Sequence, residues 1–157
     1  MAVFAIESNG RLEKTAIYHN GEQIAGIKEL FINMDEDGTF DAIVQYEGTD
    51  KETRSKSIFE NYLDKVKVTE PSFTEEDARQ LQLFAIESSG DIEDTMLFLN
   101  DEPLDGVVSV YVHIKAVKNE SGFFSKLSSN NTPNHVEFKA QITYRNEDDS
   151  LETEDIF

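Results

Sequence analysis

Phe4–Met34 and Phe84–Ile114 align without gaps at an offset of 80, and 11 of the 31 pairs are identical, beginning with a shared FAIES. A chain that repeats itself on this scale is parsed first as two similar units. The match resumes at an offset of 98, where TFDAIVQY (Thr39–Tyr46) faces EFKAQITY (Glu137–Tyr144) and Ile58-Phe59 faces Ile156-Phe157. The second unit therefore carries 18 extra residues in its middle. We expect a tandem duplication with a first β repeat at 1–69, a linker at 70–82 and a second β repeat at 83–157, whose surplus forms an inserted loop at 116–135.

Side-chain character in both units alternates with a period of two, as in Phe4/Ile6/Ser8, Ala16/Tyr18, Ile27/Glu29/Phe31/Asn33 and Phe40/Ala42/Val44/Tyr46. That period belongs to strands exposing one face, not to helices. Asn20-Gly21 is a two-residue hairpin signal, Asn100-Asp101 is its weaker counterpart, and Asp37-Gly38 closes a further hairpin. Gly26 and Gly106 stand at matching positions just before a strand, where a bulge or tight corner is expected. The fold class is thus all-β: a small antiparallel sandwich or barrel, duplicated. Thr74, followed by Glu75, Glu76 and Asp77, starts a short linker helix after Pro71, with Thr74 as N-cap. A unit of roughly 75 residues is marginal alone, so the two are expected to pack together. Ile156 and Phe157 are assigned to the core.

Charge narrows the choice of partner. The 157 residues hold 32 Asp and Glu against 14 Lys and Arg, a formal net charge of −18, and both halves are acidic. Residues 84–114 contain seven acids and no Lys or Arg. From that stretch Asp91, Glu93, Asp94, Asp101, Glu102 and Asp105 are expected to form an acidic surface. Nucleic acid and anionic membranes are disfavoured because each would be met against repulsion and without counterion release. A protein with a basic surface, or self-assembly, fits better. Without Cys there is no disulfide, thiolate nucleophile or thiolate metal site. Apolar runs fall far short of the roughly 20 residues that span a bilayer, so a cytoplasmic location, in a host cell or in a virion, is expected.

Sites with specific chemistry are sparse. Asp35, Asp37 and Asp41 alternate in part like calcium ligands, but position 39 is Thr and no Glu stands at the twelfth position, so a solvated hairpin tip is expected. His19, His113 and His135 have no metal-ligand spacing. No nucleophile elbow or phosphate-binding glycine loop occurs, so neither an enzymatic activity nor a cofactor or metal is expected. The polar pairs Glu7/Glu87, Ser8/Ser88, Thr15/Thr95 and Asn20/Asn100 flank turns and read as turn-makers. The insertion sets Phe123 and Phe124 among Gly, Ser and Asn, with Lys126 and Leu127 following. Aromatic pairs in a long loop are interface anchors, and these four residues are the candidate partner-binding loop.

The run NGEQIAGIKELFINMDEDGTFDAIVQY resembles small β-rich proteins encoded by tailed phages and prophages. That resemblance implies a virion, accessory or host-interaction protein. Gln80–Phe84 resembles the short peptide by which bacterial proteins dock on the replicative sliding clamp, but its Leu83-Phe84 also matches Val3-Phe4 of the repeat, which implies burial. The functional expectation is a non-enzymatic protein-binding or structural module presenting an acidic β platform. The alternative is an inhibitor that mimics nucleic acid against a basic nuclease or other nucleic-acid-binding enzyme.

Overall fold

The computed structural model of the chain describes residues 1–117 and 135–157. In chain order the strands are β1 (Ala2–Ser8), β2 (Ala16–His19), β3 (Glu22–Ala25), β4 (Ile27–Asp35), β5 (Phe40–Glu47), β6 (Thr53–Ser57) and β7 (Lys67–Val68). After helix α1 (Glu75–Ala78) follow β8 (Gln82–Ser88), β9 (Met96–Leu99), β10 (Glu102–Pro103), β11 (Val107–Val117), β12 (His135–Arg145) and β13 (Leu151–Asp155). The protein is all-β. Its two antiparallel sheets run β10-β9-β8-β1-β2-β3-β7 and β13-β12-β11-β4-β5-β6. The barrel alternative is not realised, because the outermost strands of each sheet lie at opposite margins instead of pairing with each other.

The turns obey local chemistry. Asn20 and Gly21 have φ of 51° and 85°, and Asn100 and Asp101 have 52° and 68°, the positive pair that matches the twist of flanking strands. Each Asn also accepts a hydrogen bond on Oδ1, from Val3 N at 2.8 Å and from Leu83 N at 2.9 Å, which ties the turn to the adjoining strand. Ser8 and Ser88 are fully buried. At the first, Gly10 N donates to Ser8 Oγ at 3.0 Å, Ser8 and Thr15 hydroxyls lie 2.8 Å apart, and Thr15 Oγ1 donates to the Arg11 carbonyl at 2.6 Å. The same three bonds recur at Gly90, Ser88, Thr95 and Asp91. Such a relay satisfies every buried polar atom that it contains. Thr74 caps α1 through a reciprocal pair with Asp77, as the sequence indicates.

Both sheets share one core. Phe4, Ile6, Phe84 and Ile86 reach it from the first sheet, and Leu30, Ile32, Val110 and Val112 from the second. Each such side chain contributes about 1.5–3 kcal/mol by leaving water. In β4 the buried positions are Leu30, Ile32 and Met34, so Glu29, Phe31 and Asn33 form the outward face. Register shifts between Ile27 and Glu29, and again between Val107 and Ser109, mark irregularities directly after Gly26 and Gly106. Ile156 is buried, and Phe157 packs edge-on against Phe138 with centroids 6.1 Å apart.

The sheets are joined across the chain's midpoint. β1 pairs with β8 so that Ala5 faces Ala85, and β4 pairs with β11 so that Ile32 faces Val112. Residues 80 apart thus meet at the centre of both sheets, and strand order is mirrored about these two pairs.

One segment breaks the mirror. Residues 60–72 fold back over the first half, where Leu63 is 1% exposed and β7 pairs with β3 through Ile24↔Val68 and Ala25↔Lys67. Tyr46, fully buried, donates from its hydroxyl to the Asp64 carbonyl at 2.7 Å, and Thr49 N donates to the Lys65 carbonyl at 2.8 Å. Gln23 grips the outgoing chain twice, accepting from Ser72 N at 2.8 Å and donating to Ser72 Oγ at 2.7 Å. Arg54 adds a two-pronged contact to Asp50 at 2.6 and 2.8 Å and reaches Asp64 at 3.5 Å.

The Arg54 guanidinium, by hydrogen bonding, holds the Asp50 carboxyl well below the usual carboxylate range. A carboxyl whose pKa is lowered on folding stabilises above its unfolded value, about pH 4, and that stabilisation is lost as pH falls through the folded-state value. Wild type and Asp50→Asn should therefore differ in stability near neutral pH and converge in acid. Urea denaturation of both proteins at about pH 7, 4 and 2.5 checks this; a gap that persists unchanged at the lowest pH contradicts it.

Candidate functional site

Where the two sheets part beside β10 there is a cleft of about 410 Å³. Its floor is apolar, built from Met34, Leu97, Leu104, Val107 and Val110. Ile92 and Met96, 40% and 51% exposed, stand at its rim together with the carboxylates of Asp35, Glu36 and Asp105. β10 follows directly from the tight Asn100-Asp101 turn, and Gly106, with φ of 73°, swings the chain from β10 into β11 in the other sheet. The cleft is thus walled by both sheets.

Glu36 comes from the β4–β5 hairpin tip, which is held here by Glu36 N donating to the Val108 carbonyl at 3.0 Å. Arg145 pairs with Glu36 at 2.5 Å, and its backbone N donates to the Gly106 carbonyl at 2.9 Å. An apolar floor flanked by carboxylates suits an aliphatic or aromatic side chain next to a lysine or arginine.

A second cleft, about 260 Å³, lies beside β3 and repeats the first, position for position. Ile17, Ile24, Ile27 and Leu30 stand 80 residues before Leu97, Leu104, Val107 and Val110, and Ile114 stands 80 after Met34. The charges differ. Asp105 has Ala25 as its counterpart, Asp35 has Lys115, and Val108 has Lys28. The edges differ as well, since β7 covers β3 whereas no strand pairs with the outer side of β10 among the described residues.

Five of the six acids expected at the surface are exposed: Asp91, Glu93, Asp101, Glu102 and Asp105. They occupy the segment bordering the cleft, with Asp101, Glu102 and Asp105 around β10. Asp94 is instead half-buried and takes both the Ser89 hydroxyl and its backbone N–H, which hold its carboxyl below the usual range. It makes the turn. The candidate loop residues Phe123, Phe124, Lys126 and Leu127 lie outside the described residues.

On the outer face of the second sheet His113 sits between two carboxylates, Glu29 at 2.7 Å from Nε2 and Glu137 at 3.1 Å from Nδ1, with Phe31 against the ring. This is a cross-strand ladder on the outer face of the sheet. Among the described residues no three His, Asp or Glu side chains are arranged to hold a metal. The clamp-like Gln80–Phe84 enters β8, where Phe84 is 1% exposed and Gln82 donates to the Ile156 carbonyl at 2.8 Å. No described helix is long and apolar enough to cross a membrane.

No family model, no curated protein and no solved structure matches this chain. The site therefore rests on geometry. The sequence pattern assigns Asp35 to a solvated hairpin tip, and nothing in it places Asp35 or its neighbour Glu36 beside Asp105. The apolar rim, Ile92 and Met96, occupies positions where the first half has Leu12 and Ala16. Comparing exposed apolar residues between the two halves was the signal available.

Proposed function

We propose that this protein is a non-enzymatic binding module whose two sheets form a duplicated β sandwich, and that its acidic end receives a basic protein partner. The observation that carries the reading is the pair of equivalent clefts with unlike charge: the one beside β10 is rimmed by Asp35, Glu36 and Asp105, and the one beside β3 is not. A solubilising charge would have no reason to gather on one cleft of two. The duplication itself is supported by the FAIES match, the repeated Ser–Thr relays and the paired central strands. The phage-protein resemblance and a cytoplasmic or virion setting belong to the same reading.

The test is capture from the source cell by the full-length protein and by a Glu36→Lys/Glu102→Lys/Asp105→Lys variant of unchanged thermal stability. The reading predicts a basic protein held by the wild type, lost on charge reversal, and partly retained at about 1 M salt because apolar contacts are not screened. Capture of a nuclease that vanishes at high salt and is displaced by DNA would favour nucleic-acid mimicry instead. Identical capture by wild type and variant would remove the acidic cleft from the function. A Phe123→Ala/Phe124→Ala variant reports separately on the inserted loop.

A further inference from the structure

We infer that the outer edge of β10 is a strand-addition site, taking an extended partner segment in which lysine or arginine precedes β-branched residues. The inference deepens the acidic-cleft reading and rests on it. The protein carries its own example of the interaction. On the equivalent edge, β3 is extended by Lys67-Val68 and the following Thr69, a basic residue and then two β-branched ones: Val68 faces Ile24, Lys67 faces Ala25, and Thr69 N donates to the Gln23 carbonyl at 2.9 Å. In the second half these positions are Leu104 and Asp105, the two residues directly after β10, and Pro103 within it.

The backbone of β10 is set up for the same addition. Leu104 N donates inward to the Leu97 carbonyl at 2.9 Å, so by the alternation of an antiparallel ladder the N–H of Asp105 points to the open side. Pro103 lacks an N–H, but the bond made at its counterpart Gln23 uses the carbonyl, which proline keeps. Pro103, Glu102 and Asp105 are exposed.

Charge selects the occupant. Where β7 sets Lys67 opposite the neutral Ala25 and 3.6 Å from Glu47, a lysine added at the matching position would stand opposite Asp105, an opposite-charge cross-strand pair, beside Arg145, which takes the place of Glu47 and is itself paired with Glu36. A second copy pairing through its own β10 would bring Glu102 and Asp105 against like charges, which disfavours it.

The probe is a synthetic peptide with the sequence of residues 64–72, added to isotope-labelled full-length protein whose own β3 edge is already filled in cis. The peptide should bind, slow exchange of the Asp105 amide by about tenfold or more, and lose about tenfold in affinity against Asp105→Lys. A peptide carrying Lys67→Glu should restore binding to Asp105→Lys, because the two residues face each other in one register. If a scrambled peptide of equal charge binds as well and the Asp105 amide is not protected, strand addition is overturned while the acidic-cleft reading stands. If neither peptide binds, strand addition is overturned, and the capture experiment decides the broader reading alone. If the Asp105 amide is protected without peptide, increasingly so at higher protein concentration, the edge belongs to a second copy and the inference is overturned.

Discussion

Leu63→Ala is expected to destabilise the protein by about 3 kcal/mol, because a buried leucine loses both its transfer free energy and its packing when the site cannot fully collapse. Leu63 is 1% exposed and belongs to the shared core, although it comes from a connecting segment and not from a strand. It pins residues 60–69, so its loss should also loosen β7. The bond from Thr69 N to the Gln23 carbonyl reports on that edge. Urea denaturation combined with amide exchange should find lower stability and faster exchange at Thr69. A loss below about 1 kcal/mol with Thr69 still protected would mean that the segment is held by its polar anchors alone, Tyr46 with Asp64 and Gln23 with Ser72.

Gly26→Ala should cost about as much by a different route. Gly26 has φ of 79°, and an added Cβ would lie 2.7 Å from the Glu47 carbonyl oxygen, a backbone atom that cannot swing aside. The same corner holds the 2.8 Å bond from Glu47 N to the Gly26 carbonyl. Positive-φ strain of about 1–3 kcal/mol adds to an overpacking cost of similar size. Gly106→Ala should be milder, since its Cβ would meet the Arg145 carbonyl at 3.3 Å. Gly21→Ala, also at positive φ but with nothing within 4 Å, isolates the strain alone. Melting temperatures of the three variants should fall in the order Gly21→Ala above Gly106→Ala above Gly26→Ala. If Gly26→Ala matched Gly21→Ala, close approach of the two backbones would not be what this position requires.

Much of the local structure was legible because it depends on neighbours in sequence. The turn at Asn20-Gly21, the Thr74 cap and the corners at Gly26 and Gly106 are each decided by φ preference or a short-range hydrogen bond. The hidden face of β4 was less legible: Ile27 and Phe31 share an apolar character with Leu30 and Ile32, and only the irregularity after Gly26 decides which series turns inward. The part that Asp94 plays in its turn was not legible, since nothing in its spacing tells a free carboxylate from one bound to Ser89. The acidic residues 91–105 were legible as a group. Their company was not, because Asp35 and Glu36 arrive from some 70 residues away through the β4–β11 pairing, where Asp35 faces Ser109.

By itself the sequence determined the all-β class, the match of 11 in 31 positions at an offset of 80, the hairpin positions and the surplus of negative charge, all of which follow from side-chain alternation, turn preference and counting. Only the tertiary structure decided how the halves meet: β1 on β8 and β4 on β11, so that both sheets are continuous across the chain's midpoint. It also decided that, among the described residues, one of two equivalent edges is filled and the other is not. The physical reason is that strand pairing is set by backbone hydrogen bonds, which every residue can offer, proline through its carbonyl alone, while the choice among possible partners is made by burial of whole faces. That choice depends on residues far apart in the chain, and here it set an acidic, apolar-floored cleft beside a strand whose outer side has no partner among the described residues.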